Sequence, residues 1–309
     1  MSLAAGGRRT FPLVPRRRLT GLPFGEAPSR RRGQGSEIVG HRRYEPGDPV
    51  ATIDWFASAR LTATSGEDAF VVRQHAVDEA PRVVIVVDRR PEMGLYPAQL
   101  PWLHKPVALL EAVTAIAASA EAARADIAAL DFGGGEAWWL PPARRERRWM
   151  IAQREGADTP FGAPSDVLER SLEFLLAHRR GLPPGSFVFV LSDFLAPPPT
   201  QTWLRGLSCG WELVPVVIQD PVWEQSFPAV GGIGLPIAEL RTGVVTLVRL
   251  SRRQAANQAQ ANERRLARTL ADFQSLGLQP VVLGTGDTDQ IDTAFSDWAE
   301  RRRSSAWAR

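Results

Sequence analysis

Two apolar runs in this sequence end in an acid: VVIVVD closes on Asp88 and FVFVLSD on Asp193. Each run has the length and the β-branched or aromatic content of a strand buried on both faces. Each carboxylate then stands at a strand's carboxyl end. In an open parallel sheet, ligands bind beyond those ends, in the crevice where the strand order reverses. If the two strands are neighbours at that point, two carboxylates face one crevice. Such a pair suits a hard cation such as Mg²⁺, which takes one or two carboxylates together with hydroxyls and water. The plainer alternative is that each acid only caps the loop that follows it.

The elements that must position these acids follow from periodicity. Strand patterns fall at 83–88, 127–132, 137–140, 187–193, 213–218 and 280–283, with helical patterns at 105–124, 167–177, 200–207, 252–276 and 291–302. The pattern at 105–124 is apolar nearly all round and so predicts a well buried helix. Ser165 or Asp166 can cap the next one, and Gly277 is a natural stop for 252–276. Strands alternating with helices predict an α/β fold: a doubly wound, mainly parallel sheet covered on both faces. A hairpin across Gly133, Gly134 and Gly135 adds an antiparallel edge. Residues 221–250 interrupt the alternation with Pro, Gly and a β-like stretch at 244–248, and are read as an excursion from an α/β domain spanning 81–309. Residues 35–80 read as an N-terminal β-rich unit, with strand-like alternation at 52–55 and 69–74. Residues 1–34 read as a flexible, Arg-rich leader.

Composition narrows the function classes. The chain has 309 residues, 44% hydrophobic and 23% charged, as expected of a globular protein. Cys209 is the only cysteine, which excludes an intrachain disulfide and a thiolate metal cluster and fits a reducing, cytoplasmic setting. No apolar run reaches the length of a membrane helix. Residues 1–34 carry eight arginines and one acid, Glu26, so a net charge of +3 leaves −4 for the rest. A body of negative charge argues against a nucleic-acid-binding core, although the leader itself has the charge for such contacts. The four histidines, His41, His75, His104 and His178, lack metal-ligand spacing. There is no G-x-S-x-G elbow, and GGIGLP at 231–236 is not placed as a dinucleotide loop. Cys209 reads as a packed side chain, not a nucleophile.

The stretch GSEIVGHRRYEPGDPVATIDWFASARL at 35–61, followed by VVRQ and VVIVVDRRPEM, resembles the bacterial domain of unknown function 58 family. Arg42 or Arg43, Tyr44, Pro46, Gly47, Asp48, Ile53, Asp54, Trp55, Ala59 and Arg60 match its signature, whereas Ala51 and Thr52 stand where the family has a basic residue. IQDPVWEQSFP and ELRTGVVTLVRLS extend the likeness, which covers roughly residues 35–302. The resemblance implies a von Willebrand factor A-like domain, whose first strand ends in D-x-S-x-S and whose fourth adds an aspartate, together holding a divalent ion. Asp88 and Asp193 match the two acids, but Arg90 and Glu92 occupy the serine positions. A guanidinium has no acceptor atoms and cannot ligate metal, yet it can occupy the same negative pocket. At about 4 Å, opposite charges attract by ~4 kcal/mol at an intermediate effective dielectric. Arg90, or Arg89, is therefore expected between Asp88 and Asp193, giving a degenerate site with no metal or other cofactor; Glu92 is the residue that could still ligate.

In the signature unit, Arg43, Asp48, Asp54, Arg60 and Arg73 are expected to form an ion-pair network around Tyr44 and a buried Trp55, or else a docking face. The resemblance implies a non-enzymatic adaptor that acts with a MoxR-type AAA+ ATPase on a target protein. The carboxyl-end face at 88–93 and 193–195 is the expected contact, with Arg89 and Arg90 partly exposed in it beside Asp88 and Asp193. The rival functions are a metal-dependent hydrolase using Asp88 and Asp193, and nucleic-acid binding through the leader.

Overall fold

A computed structural model describes residues 8–15, 38–44, 50, 53–65, 70–75, 81–94, 103–144, 147–156, 159–232, 234–238 and 244–307. The chain divides into two compact units, one of residues 1–16 and 81–309, the other of residues 17–80. The smaller unit is thus an insertion in the larger.

The larger unit is an α/β domain. Its strands are β3 (Arg82–Val87), β4 (Asp126–Asp131), β5 (Trp138–Ala143), β6 (Phe187–Ser192), β7 (Glu212–Ile218) and β10 (Val281–Leu283). They lie in the order β10-β7-β6-β3-β4-β5. All neighbours are parallel except β5, which returns antiparallel along β4 across the turn containing Gly135 at φ +88°. The order reverses between β3 and β6, so the doubly wound sheet expected from the alternation is present, with its switch point between the two strands that end in acids.

Each face of the sheet carries a core. One contains Val83, Ile85, Phe189 and Val214 packed against α2 (Lys105–Ala122) and α7 (Thr288–Trp307). The other contains Val84, Val86, Val188 and Leu213, covered by α4 (Val167–Ala177), α5 (Thr200–Ser208) and α6 (Arg252–Ser275). The helix α3 (Arg147–Gly156), with the sequence RRWMIAQREG, was absent from the periodic pattern; its buried Ile151 joins the first core. Within residues 221–250, β8 (Gly234–Ala238) and β9 (Val245–Arg249) form a separate antiparallel hairpin.

Two sequence expectations are corrected. Residues 8–15 are not a flexible leader: Phe11 is buried in the first core. An aromatic side chain with a large area to remove from water outweighs the Gly, Pro and Arg around it. Residues 16–34 lie outside the described residues, as does Asp48. In the smaller unit, β1 (Ile38–Arg43) and β2 (Val71–His75) pair antiparallel, but of the stretch at 52–55 the described residues 53–55 form no strand beyond the single bridge of Ile53 to Val72. Instead α1 (Trp55–Ser65) starts at Trp55. Asp54 caps it, its Oδ1 accepting from the N–H groups of Phe56 (3.1 Å) and Ala57 (3.0 Å). A side-chain acceptor that satisfies two orphan N–H groups overrides a four-residue alternation.

Trp55 is consequently 59% exposed, not buried. Its ring and that of Tyr44 both meet Phe70 edge-on, at 6.0 and 6.4 Å. Arg43 and Arg60 are exposed, and Arg73 sits on β2 opposite His41. In denaturant melts, Asp54→Ala is expected to cost the smaller unit about 1 kcal/mol. Trp55→Ala should fall well below the ~3–5 kcal/mol of a buried tryptophan; a loss of that size would show the ring to be covered.

Candidate functional site

The carboxyl ends of β3 and β6 hold one buried network of charges. Asp88 follows β3 directly and its N–H donates to Leu191 O across the sheet (3.0 Å), which fixes its backbone at the switch point. The chain then folds back in a tight turn, and Arg90 N–H donates to Asp88 Oδ1 (2.9 Å). That turn brings the Arg90 guanidinium over the same carboxylate. Its Nε donates to both Asp88 oxygens (3.1 and 2.9 Å) and its Nη2 to Oδ2 (2.6 Å). Nη2 also reaches Asp193 Oδ1 (2.9 Å) and Ser192 Oγ (3.2 Å). The guanidinium therefore stands between the two acids, in the place expected for it.

Asp193 is held from the β6 side. Its Oδ1 accepts from Leu195 N–H (3.0 Å), while Ser192 Oγ accepts from Phe194 N–H (3.0 Å) and donates to Asp88 Oδ2 (2.7 Å). Phe194 has φ +51°, a left-handed conformation that is costly for a bulky residue. Packing of its ring against Phe273 (5.1 Å) and Trp203 (6.2 Å) holds it there and aims Asp193 into the crevice.

A second cation completes the network. Lys105, the only lysine in the chain, lies in the first turn of α2 and is fully buried. Its Nζ donates to Asp193 Oδ2 (3.1 Å), to Glu224 Oε1 (2.5 Å) and to the Glu92 carbonyl (3.2 Å). Glu224 Oε2 accepts from Asp220 N–H (2.8 Å), and Asp220 Oδ2 from Leu103 N–H (2.7 Å), so the loop after β7 is joined to the start of α2. Gln219 Nε2 donates to the Asp193 carbonyl (2.5 Å). Lys105, Glu224, Gln219 and Asp220 were not singled out as site residues from the sequence. A lone lysine in an arginine-rich chain was the available signal; the carboxylates it meets lie 88 and 119 residues away and carry no local pattern.

Electrostatics follow from burial. For Arg90, burial works against the charged form, but the hydrogen bond and charge of Asp88, then Asp193 and Glu92, more than offset it and raise the pKa above the usual arginine value. Glu224 is raised by burial, with Lys105 opposing. Beside the network, Arg89 Nη2 donates to Glu155 Oε1 on α3 (2.6 Å), with the guanidinium 5.2 Å from the Phe161 ring centre. Burial pushes Glu155 up to about 6 despite that arginine.

The arrangement corrects the expected contact face. Asp88 and Asp193 are 0% exposed and Arg89 and Arg90 only 3%, and their charges are directed at one another and at Glu155. They form no charged surface. Nor does the donor set fit a divalent ion: both carboxylates are saturated by Arg90, Lys105, Ser192 and backbone N–H groups, and a guanidinium does not deprotonate to make room. Glu92 does not point to a ligand set either; among the described residues no group of three or more His, Cys, Asp or Glu side chains has the placement to hold a metal ion.

A family model described as a protein of unknown function, DUF58, matches residues 40–268. The chain belongs to DUF58. Two relatives of this DUF58 chain are uncharacterised proteins of Mycobacterium bovis and Mycobacterium tuberculosis, each 28% identical over 304 residues, covering 97% of this chain and 90% of theirs. Among solved structures, BatB from Bacteroides thetaiotaomicron aligns at 14% identity over 72% of this chain and 99% of its own, with a TM-score of 0.44. An aerotolerance-related membrane protein from Bacteroides fragilis gives 14%, 72%, 99% and 0.42. In the DUF58 chain itself, no described helix is long and apolar enough to cross a membrane.

Two outcomes test this geometry. Arg90→Met leaves two buried carboxylates short of a counter-charge and is expected to cost about 3–5 kcal/mol in urea melts. Arg90→Lys should recover little, because one ammonium does not reproduce the fork; a variant within 0.5 kcal/mol of the parent would contradict the bridge. Glu155 has a folded pKa above its ordinary 4.5, so its contribution to stability is complete below pH 4.5 and is lost as pH rises through about 6. Relative to wild type, Glu155→Gln should therefore gain stability between pH 4.5 and 7.5, by about 2 kcal/mol. A flat difference across that window would show Glu155 to be ionised throughout.

Proposed function

We propose that this chain is a non-enzymatic interaction module, von Willebrand factor A-like in its larger unit, that acts with a MoxR-type AAA+ ATPase in the assembly or activation of a target protein. The observation that carries the non-catalytic part is the Arg90 guanidinium on both Asp88 and Asp193. Acids neutralised by fixed cations in a buried network are neither a general base nor a metal cradle, which disfavours the hydrolase reading. On this reading the guanidinium is the permanent substitute for the ion of a degenerate metal site. The ATPase enters through the family resemblance alone, which is an analogy of fold and family.

With Arg89 and Arg90 buried, the contact moves to what the same edge exposes: Ala196, Pro197 and Pro199 after β6, and Pro221 and Val222 after β7. Apolar, rigid loops from adjacent strands suit a protein contact that is little screened by salt. Nucleic-acid binding is weakened as an alternative by Arg8, whose charge is used within the domain by Glu111 and Asp292.

Co-purification with a MoxR-type ATPase from the native cell, with and without ATP and EDTA, tests the proposal. Association should survive EDTA and fall when Pro197→Glu and Val222→Glu are introduced together. Calorimetry should detect Mg²⁺ or Mn²⁺ binding no tighter than millimolar. A micromolar site abolished by Asp88→Ala would overturn the ion-pair reading, and no ATPase association in any nucleotide state would overturn the adaptor.

A further inference from the structure

Residues 8–15 belong to no helix or strand, yet they lie in a groove built by α2, α7 and the sheet beneath them. The Phe11 ring stacks on Phe295 at 4.7 Å and 7°, and meets Trp298 and Phe189 edge-on at 5.8 and 6.3 Å. Its N–H donates to Ser119 Oγ (3.0 Å). Three residues earlier, Arg8 spans the rim, its Nε donating to Asp292 Oδ1 (3.0 Å) and its Nη1 to Glu111 Oε2 (2.8 Å). Three residues later, the Val14 carbonyl accepts from Arg302 Nη1 (2.9 Å), which also donates to Glu212 Oε2 (3.1 Å).

The character of these contacts sets the segment apart from the rest of the core. Among the described residues, no backbone-to-backbone hydrogen bond joins 8–15 to the domain. Every polar tie uses a side chain on at least one side. The groove's own parts, by contrast, sit on α2, α7 and β6, which are held by the sheet and by each other. This is how a bound peptide is retained: one aromatic anchor in a pocket, one charge pair at the rim, and a few bonds to its backbone.

We propose that this is a peptide-binding groove selective for a basic residue three positions before an aromatic one, and that residues 8–15 fill it as an exchangeable plug. The floor of Phe189, Phe295 and Trp298 takes the aromatic ring. The carboxylates of Glu111 and Asp292 select the basic residue, since Asp292 is buried and would be left without a counter-charge by a neutral ligand. An empty groove would expose three aromatic rings beside that charge, so the stable states are those with an occupant, either the chain's own segment or a Arg-x-x-aromatic segment of another polypeptide. A tethered plug competes as an intramolecular ligand, which makes the groove silent to weak ligands and open to a tight or abundant one.

The test uses the full chain and a fluorescein-labelled peptide of residues 8–15, RRTFPLVP, followed by fluorescence anisotropy. Phe11→Ala removes the anchor of the tethered plug, and this variant should bind the free peptide at least tenfold more tightly than wild type does. The same peptide carrying Phe11→Ala should not bind. A folded Phe11→Ala chain that binds RRTFPLVP no better than wild type overturns the inference. If Phe11→Ala does not fold, Arg8→Ala in the chain decides, because it loosens the plug at the rim and leaves the ring in place. A severalfold gain in peptide affinity supports the groove; an unchanged affinity means that residues 8–15 are a fixed part of the core.

Discussion

A single guanidinium bridges the two strands at the switch point of this sheet. At a topological switch the chain leaves neighbouring strands in opposite directions, and the crevice so formed has no backbone ladder to close it. Here β3 and β6 end in carboxylates that would repel across that gap. Arg90 satisfies both, and because it follows Asp88 by two residues its position is set by a turn, not by a long flexible reach. Buried ion pairs are poor sources of net stability, since desolvation cancels much of their attraction. Their value is geometric: breaking one is costly, so alternative packings of the crevice are excluded.

From that point the constraint spreads. Lys105 carries it into α2 on one face, Glu224 and Asp220 into the loop after β7, and Asn262 and Arg265 of α6 donate to the carbonyls of Trp223, Ser226 and Glu224 on the other face. The loops at the carboxyl edge, which in this architecture are free to vary, are therefore braced to both helical layers. Such a surface is preformed, and a partner that meets it has little ordering entropy to overcome.

Much of this was legible in the sequence because it rests on local pattern. Apolar runs ending in acids, a helix apolar on all sides and a triple-glycine turn are each properties of fewer than twenty residues, and the parallel sheet, the buried α2 and the β4–β5 hairpin follow from them. The occupant of the space between Asp88 and Asp193 was legible too, since arginine chemistry leaves it few other roles beside two carboxylates. What escaped were features set by long-range contact. Glu224 and Lys105 meet only because two loops converge, Arg89 is buried only because α3 brings Glu155 to it, and α3 itself has a sequence whose arginines mask its apolar stripe. At Trp55 the opposite occurred: the local signal that prevails, the Asp54 cap, was present in the sequence beside a strand-like alternation of four residues that misleads.

The packing of Phe11 on Phe295 and Trp298 joins segments 284 residues apart along the chain, as measured by the Arg8–Asp292 pair. A ribosome adding about 5–20 residues per second takes roughly 15–60 s to cover that distance. For all of that interval the Arg8–Pro15 segment has been made and α7 has not. Residues 8–15 must wait outside the folded layers while the insertion and the sheet are synthesised behind them, and the aromatic layer closes only after α7 emerges. This face of the domain is thus completed by one segment made before the insertion and another made after the sheet, and a nascent protein stalled before α7 would present Phe11 and the unfinished face of the sheet to whatever chaperone attends it.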